Sequence, residues 1–397
     1  QSRFALRALR SRQDIFDIYV QPIPWGQTGW IWENDEFRQW LDERITQTQV
    51  LSQQKVLSPD ISLQITIPNE FEKLCPINVG YTAGIETNKV APVWLQKGNL
   101  MDKILVVSTH AKNTYERTVA QAKKVDTGEV IDYMLETPID VVWESTPRPN
   151  PEEIVGLNLD YDFNFLIVSQ LGPRKNYDNS IRWWVEEFVD QEVGLIVKTN
   201  IRSNSIIDKD VCEKRLSLML RDYPDRKCKV YLLHGDLSSG QMTWLYNHEK
   251  VKALVNISHG EGFGLPLFEA AREALPVVTM AWSGQQDFLI KDKKEYFQKV
   301  KYSLSPVQKE SHWEGVIQPD SMWAFADQGS YKMTLRKVLK KYTKCKDTAI
   351  ELKKIIDENF SDERLYEIFT KSILEFFPNE DNDSWLAEIE DIVREYE

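Results

Sequence analysis

The sequence predicts an α/β protein built from two Rossmann-like, doubly wound domains that face each other across a cleft, with C-terminal helices docked back on them. Three observations carry this prediction. Short runs rich in β-branched residues alternate with helical patterns along most of the 397 residues. A proline-rich break, ESTPRPNPEE at 144–153, divides that alternation into two rounds. The second round contains a glycine loop that runs from an apolar strand into a helix.

The opening residues, QSRFALRALRSR, mix four arginines with apolar side chains and predict a first helix with a solvated basic face. The alternative is a basic amphipathic helix lying on a membrane surface, which leaves peripheral membrane contact open. Strand-like runs follow at Ile15–Val20, Ile61–Ile67, Ile77–Thr82, Lys103–Ser108 and Ile139–Trp143, separated by helix-like stretches such as Asn34–Thr48 and Ala111–Lys124. Residues 1–150 are therefore read as the N-terminal domain. The pattern restarts at Phe163–Ser169 and continues through Val193–Thr199, Lys229–His234, Val251–Ser258 and Pro276–Met280, giving a second domain over 151–375. From about Ser330 the chain reads as helical. Its last stretch, 376–397, predicts a helix capped by Asp383 or Ser384, with Trp385, Leu386, Ile389 and Ile392 turned back toward the N-terminal domain.

Composition removes several classes. With 42% hydrophobic and 28% charged residues, the chain is neither low-complexity nor disordered. A net charge of -12 disfavours sequence-independent nucleic-acid binding. Cys75, Cys212, Cys228 and Cys345 lie far apart with no C-x-x-C pair, so they read as reduced thiols and no metal site is expected. No apolar run reaches the roughly 18–20 residues of a membrane span, and no h-region follows the basic start, so a cytoplasmic location is expected.

The chemistry concentrates in NISHGEGFGLPLFEAAREALPVV, Asn256–Val278. It reads strand, loop, helix, strand. Gly260, Gly262 and Gly264 permit positive φ and close backbone approach, and Pro266 suits the first turn of a helix. Amide groups at such a helix start, beside the positive end of its dipole, form an anion site suited to a diphosphate. Glu261 on the loop and Glu269 on the helix are acceptors for hydroxyl donors, and two carboxylates would repel a phosphate they faced. They are therefore expected to face sugar hydroxyls. The competing reading gives the glycines a tight turn and Glu269 a purely dipolar role.

Within HGEGFGLPLFEAA, the E-x7-E spacing of Glu261 and Glu269 resembles the nucleotide-sugar motif of retaining glycosyltransferases of the GT-B fold, particularly family four. The resemblance implies that Glu261 contacts the transferred sugar, that His259, Gly260, Gly262, Phe263, Gly264 and Leu265 line the donor through the loop, and that Glu269 binds the ribose. FLIVSQLGPRKNYDNSI (Phe165–Ile181) resembles the family's diphosphate-gripping loop and implies that role for Arg174 and Lys175, although Ser169-Gln170 stand where many members carry a glycine-arginine pair. Cations there also suit the charge that builds on a departing diphosphate. VYLLHGDLSSGQMTWLY (Val230–Tyr246) resembles the base-recognition segment, WSGQQDF a further donor-side loop, and Ile67–Phe71 with Gly80–Tyr115 the acceptor domain. That domain usually opens with a strand and glycine-rich loop; here the chain begins at the helix, so that strand is expected to be missing.

Other positions carry weaker signals. His110 follows a strand and is a candidate acceptor-side contact or proton relay, against an incidental loop histidine. His259 either faces the donor or bonds backbone. Asp160 and Asp162 precede a strand, which rules against a metal-bound diphosphate there. Trp25, Trp30 and Trp282 are loop aromatics that could stack on a sugar or base, with core packing favoured. The sequence reading is a metal-independent retaining glycosyltransferase that takes a nucleoside-diphosphate sugar as substrate, needs no cofactor, and transfers to an acceptor hydroxyl it does not identify. The alternatives are a nonenzymatic nucleotide- or glycan-binding protein on the same fold, a glycosyltransferase acting on modified DNA bases, and a nucleotide-sugar epimerase.

Overall fold

A computed structural model describes residues 1–23 and 34–377. Trp25, Trp30 and the helix expected beyond residue 377 lie outside the described residues.

In the N-terminal half, α1 (Ser2–Arg10) and α2 (Glu36–Gln53) precede β1 (Ile61–Ile65), β2 (Ile77–Thr82), α3 (Pro92–Gly98), β3 (Lys103–Val106), α4 (Thr109–Arg117), β4 (Ala120–Lys123), β5 (Val130–Tyr133) and β6 (Ile139–Val141). Strands β1, β2, β3 and β6 form a parallel sheet in that order. Two sequence expectations fail here. Ile15–Val20 is not a strand: the Val20 amide is bonded by the Thr48 hydroxyl at 2.8 Å instead of a neighbouring strand. Ala111–Lys124 is not one helix, because α4 stops at Arg117 and the chain turns into the antiparallel β4–β5 hairpin. The β-branched pair Thr118-Val119 sits at that break.

The second half runs β7 (Asn164–Val168), α5 (Tyr177–Phe188), β8 (Gly194–Thr199), α6 (Ile206–Leu220), β9 (Lys229–His234), α7 (Ser239–Asn247), β10 (Val251–Asn256), α8 (Leu265–Arg272), β11 (Val277–Met280) and α9 (Gln286–Leu289). A small β12–β13 hairpin (Ile290–Lys291, Lys294–Glu295), β14 (Gln298–Val300) and the hairpin of β15 (Tyr302–Pro306) with β16 (Met322–Ala326) follow. Then come α10 (Gln328–Lys340), α11 (Tyr342–Asn359) and α12 (Asp362–Leu374). The main sheet is parallel with order β9-β8-β7-β10-β11-β14, which in chain sequence is the 3-2-1-4-5-6 winding of a dinucleotide-binding fold.

One apolar cluster is shared between the halves. It joins Val79 and Leu105 of the first sheet to Leu166 and Leu254 of the second, through Phe268 of α8 and Leu352 of α11. The returning helix α12 seals it, with Phe369 packed edge-on against Phe4 of α1 at 5.7 Å and tilted on Tyr81 at 5.5 Å. The apolar face of α1 is thus spent on α12, with Phe4, Ala5 and Ala8 buried, rather than offered to a membrane. Beneath α12, buried Lys103 binds Asp140 at 2.9 Å and the Ser372 carbonyl at 3.1 Å, and also pairs with Glu375. No described helix is long and apolar enough to cross a membrane.

Candidate functional site at the sheet's switch point

Successive crossovers leave the second sheet in opposite directions after β7 and β10, which opens a crevice at their C-terminal ends. The two segments singled out in the sequence emerge there. After β7, Pro173–Lys175 forms a short helical turn closed by Asn176, held in the left-handed region at φ 48. Its side-chain amide donates to the Ile257 carbonyl at 3.2 Å, tying this loop to the end of β10. The His259 amide donates to the Arg174 carbonyl at 2.8 Å across the same gap.

The glycine loop is fixed as tightly. Gly264, at φ 95, caps α8 and Pro266 lies in its first turn, as the sequence predicts. Pro266 has no amide hydrogen and the Leu267 and Phe268 amides donate to the Gly264 carbonyl at 2.9 and 3.0 Å, so the Leu265 amide is the one at this helix start that finds no acceptor within the helix. Gly260 and Gly262 serve close approach instead: a Cβ on Gly260 would lie 2.8 Å from the Glu86 carbonyl, and one on Gly262 2.8 Å from that of Ala83. The loop after β2 therefore rests directly on the glycine loop.

Glu261 is the electrostatic centre. Only 5% exposed, its carboxylate takes both oxygens to Lys175 Nζ at 2.7 Å, with Arg174 at 3.1 Å and the Asn256 amide at 3.0 Å. Burial alone would push it up; Lys175 and Arg174 outweigh that and hold it well below the usual carboxylate range. Its amide donates to Ser283 Oγ at 2.8 Å, and its carbonyl accepts from the Gly284 amide at 2.9 Å. Arg174 also donates to the Gly260 carbonyl at 2.7 Å and pairs with Glu86 of the N-terminal domain at 3.1 Å.

Glu269 lies in a different environment. Its partners are neutral: the Thr146 hydroxyl at 3.0 Å and the Tyr246 hydroxyl at 3.1 Å. Burial pushes its carboxyl above the ordinary range, and those two bonds only partly offset it. Thr146 belongs to the proline-rich segment, which is no loose tether. The Thr146 carbonyl accepts from Arg272 at 2.6 Å, Arg148 pairs with Glu273 at 2.7 Å, and the Glu152 amide donates to the Gly240 carbonyl at 3.0 Å.

The remaining predicted positions divide. Phe263 is buried against Phe268 and Phe288, so only its backbone can face a ligand, and half-buried Leu265 packs on the same cluster. His259 is a framework residue. Its Nδ1 meets the Ala324 carbonyl at 2.7 Å, its Nε2 meets the Gln308 amide at 3.1 Å, and its ring stacks on Trp323 at 4.9 Å. His110 sits on the seam, its Nε2 3.1 Å from the Thr87 carbonyl and its ring edge-on to Trp282 at 5.0 Å. Burial lowers it to about 4, so at neutral pH it is an uncharged donor to that carbonyl. Trp282 donates through Nε1 to the Glu86 carbonyl at 3.2 Å, which makes it a strut between the two loops.

Sequence reasoning missed Glu86, Asn256, Ser283, Thr146 and Tyr246. All five fall inside stretches quoted above, but a loop carboxylate, an amide and single hydroxyls carry no motif of their own. It also missed that Asp208, Cys212 and His234 converge with ligand atoms within 4.8 Å of one another. The Asp208 carboxylate there accepts from the amides of Ile201, Arg202 and Ser203 at 2.9, 2.7 and 3.0 Å and from His234 at 2.7 Å. That is a loop clasp with its acceptor capacity used. Asp160 and Asp162 precede β7, at the end of the sheet opposite the crevice, and pair with Lys229 and Lys250. A cavity of about 150 Å³ lined by Trp143, Asp287, Phe360 and Arg364 lies elsewhere on the seam and includes no glycine-loop residue.

No family model matches the chain. Over 195 residues, 47% of its length, it is 27% identical to the serotype-specific mannosyltransferase WbdA of Escherichia coli, and the match spans 22% of that protein. The chain thus corresponds to well under half of that relative. Its structure is similar to that of sucrose-phosphate synthase from Thermosynechococcus elongatus, with TM-score 0.53 and 13% identity, over 77% of this chain and 69% of that one. The E. coli trehalose-6-phosphate protein bound with UDP-2-fluoro glucose aligns at TM-score 0.51 and 10% identity, over 85% and 77%. Anabaena HepE in complex with UDP and glucose aligns at 0.51 and 12%, over 75% and 72%. Taken with the two parallel sheets, these likenesses establish that the chain has the GT-B fold, two Rossmann-like domains facing across a cleft.

Proposed function

We propose that the chain is a retaining glycosyltransferase that moves a sugar from a nucleoside diphosphate to an acceptor hydroxyl without a metal. The observation that carries this reading is the convergence of Arg174, Lys175 and Glu261 beside the start of α8 at the sheet's switch point. In this reading the two cations and the glycine-loop amides that lead into α8 receive the diphosphate and stabilise its growing charge as the sugar leaves. Glu261 orients those cations and accepts a hydroxyl of the transferred sugar. Glu269 accepts from the ribose, in place of the hydroxyls of Thr146 and Tyr246. The acceptor enters from the N-terminal domain, near the loop after β2 and His110. Attack comes from the face the diphosphate leaves, with the departing phosphate taking the acceptor's proton, so no covalent sugar-enzyme bond is assigned.

The match to a mannosyltransferase makes a mannosyl donor the first to test, on a saccharide acceptor. The test is a thermal-shift panel of UDP, GDP, ADP, CMP and their sugars, followed by transfer assays with the donor that binds and an anomeric assignment of the product. A ligand at 100 times its dissociation constant raises stability by about 2.7 kcal/mol. One nucleotide family should shift the protein and yield a product of unchanged anomeric configuration. Binding by none, or an inverted product, would overturn the reading.

A further inference from the structure

Glu86 lies in the loop after β2, in GIETN, inside the stretch that resembles the acceptor domain but with no role assigned to this residue by the sequence. Its carboxylate is nevertheless 3.1 Å from Arg174 Nη1, the nitrogen that also reaches Glu261. Its position is imposed from both sides. The Glu86 carbonyl accepts from Trp282 Nε1 at 3.2 Å, and its backbone lies against Gly260, where any side chain would collide with it. The next residue but two, Lys89, pairs with Asp320 of the β15–β16 connection, and the Asn88 amide bonds the Met322 carbonyl at 3.0 Å. The loop is fastened to the second domain along its length.

The charge count gives this contact a consequence. Arg174 and Lys175 supply two positive charges, and Glu261 and Glu86 supply two negative ones. A diphosphate approaching the crevice meets a neutral cluster rather than a dication. Glu261 is buried and shared by both cations; Glu86 is the more exposed carboxylate, with 18% of its side-chain surface open against 7%. It also belongs to the loop that rests on the glycine loop. It is the member that a diphosphate can replace.

We propose that Glu86 is a positioning residue of the N-terminal domain that holds Arg174 until the donor diphosphate displaces it, so that the acceptor-side domain sets the affinity of the donor site. Displacement exchanges one anionic partner of Arg174 for another and removes the charged link between the loop after β2 and the donor cations. This rests on reading Arg174 and Lys175 as the diphosphate grip.

The experiment is calorimetric titration of UDP, GDP and inorganic pyrophosphate into the full chain and into Glu86→Gln, Arg174→Ala and the double variant. Glu86→Gln keeps the side chain's shape and removes its charge. It should bind the preferred nucleoside diphosphate about fivefold tighter, the scale of one partly exposed ion pair. Pyrophosphate should follow the same order, and the gain should vanish in the double variant. A merely structural Glu86 would lower the melting temperature of the unliganded chain without tightening any ligand. Unchanged or weaker binding by Glu86→Gln, while Arg174→Ala still loses affinity, would overturn the proposal and leave the donor reading standing. Unchanged binding by Arg174→Ala would overturn the assignment of the grip, and this proposal with it.

Discussion

Glu261 and Glu269 stand eight residues apart on one loop and helix, yet the fold gives them opposite electrostatic fates. Glu261 is the more deeply buried and remains the stronger acid, because Lys175 and Arg174 reach it from the loop after β7. Glu269 has only hydroxyl donors, and burial drives it toward its neutral form. The difference teaches that a motif fixes spacing, while function depends on what the rest of the chain brings to each position. One carboxylate anchors a charged cluster. The other is paired only with hydroxyls, the group a ribose would present.

The largest effect should come from breaking the Glu261 end. Glu261→Ala leaves Lys175 and Arg174 facing one another over a buried gap, a loss of about 3 kcal/mol by the usual cost of orphaning a partner in a buried ion pair. Chemical denaturation should register it, and transfer should fall with it. Native stability in this variant would show that the cations find other partners. Next is Gly284→Ala, where the new methyl would lie 1.8 Å from the Gly262 carbonyl. Because Gly284 also donates to Glu261, the loop must shift, at about 1–3 kcal/mol for an overpacked site. Donor binding should weaken in step; a variant with wild-type stability and affinity would mean that the loop is softer than its contacts imply.

Glu269→Ala should behave differently, with little loss of stability and a large loss of nucleotide affinity. Hydrogen bonds to a charged group are worth about 1.5–3 kcal/mol, or roughly tenfold to a hundredfold in affinity. Smallest are the pH effects, whose signs oppose each other. Glu261 has its folded value depressed, so its stabilisation is present above its ordinary value of 4.5 and is lost as pH falls through the folded one. Glu269 has its folded value raised, so it favours the fold at low pH and that contribution is lost as pH rises through 4.5 toward the folded value. Glu269→Gln should therefore steepen acid destabilisation of the unliganded chain as pH falls toward 4.5 and run parallel to the wild type below it, as followed by melting temperature; a flatter profile above 4.5 would reverse the assignment.

Much of the fold was legible because it is written in local pattern. The runs at Ile77–Thr82, Gly194–Thr199 and Val251–Asn256 are buried parallel strands whose continuous apolar character is enforced from both faces. Gly264 and Pro266 likewise mark the start of α8 by backbone chemistry alone. The hairpin of β15 and β16 was not legible: YSLSP and MWAFA are separated by 15 residues of connection, and their pairing is visible only once Gln308 and Ala324 close on His259. At the site, Glu261, Arg174 and Lys175 were legible by type and context. Glu86 was not, because its meaning lies in a partner 88 positions away in another domain. Thr146 was hidden by the prolines around it, which signal a linker and conceal that the linker is packed.

The division between the two glutamates is tested most directly by titrating a nucleoside diphosphate and inorganic pyrophosphate in parallel into the wild-type chain and Glu269→Ala. If Glu269 accepts from the ribose while Arg174 and Lys175 take the phosphates, the variant loses affinity for the nucleoside diphosphate by at least about tenfold and binds pyrophosphate as the wild type does. Equal losses for both ligands, or no loss for either, would contradict it.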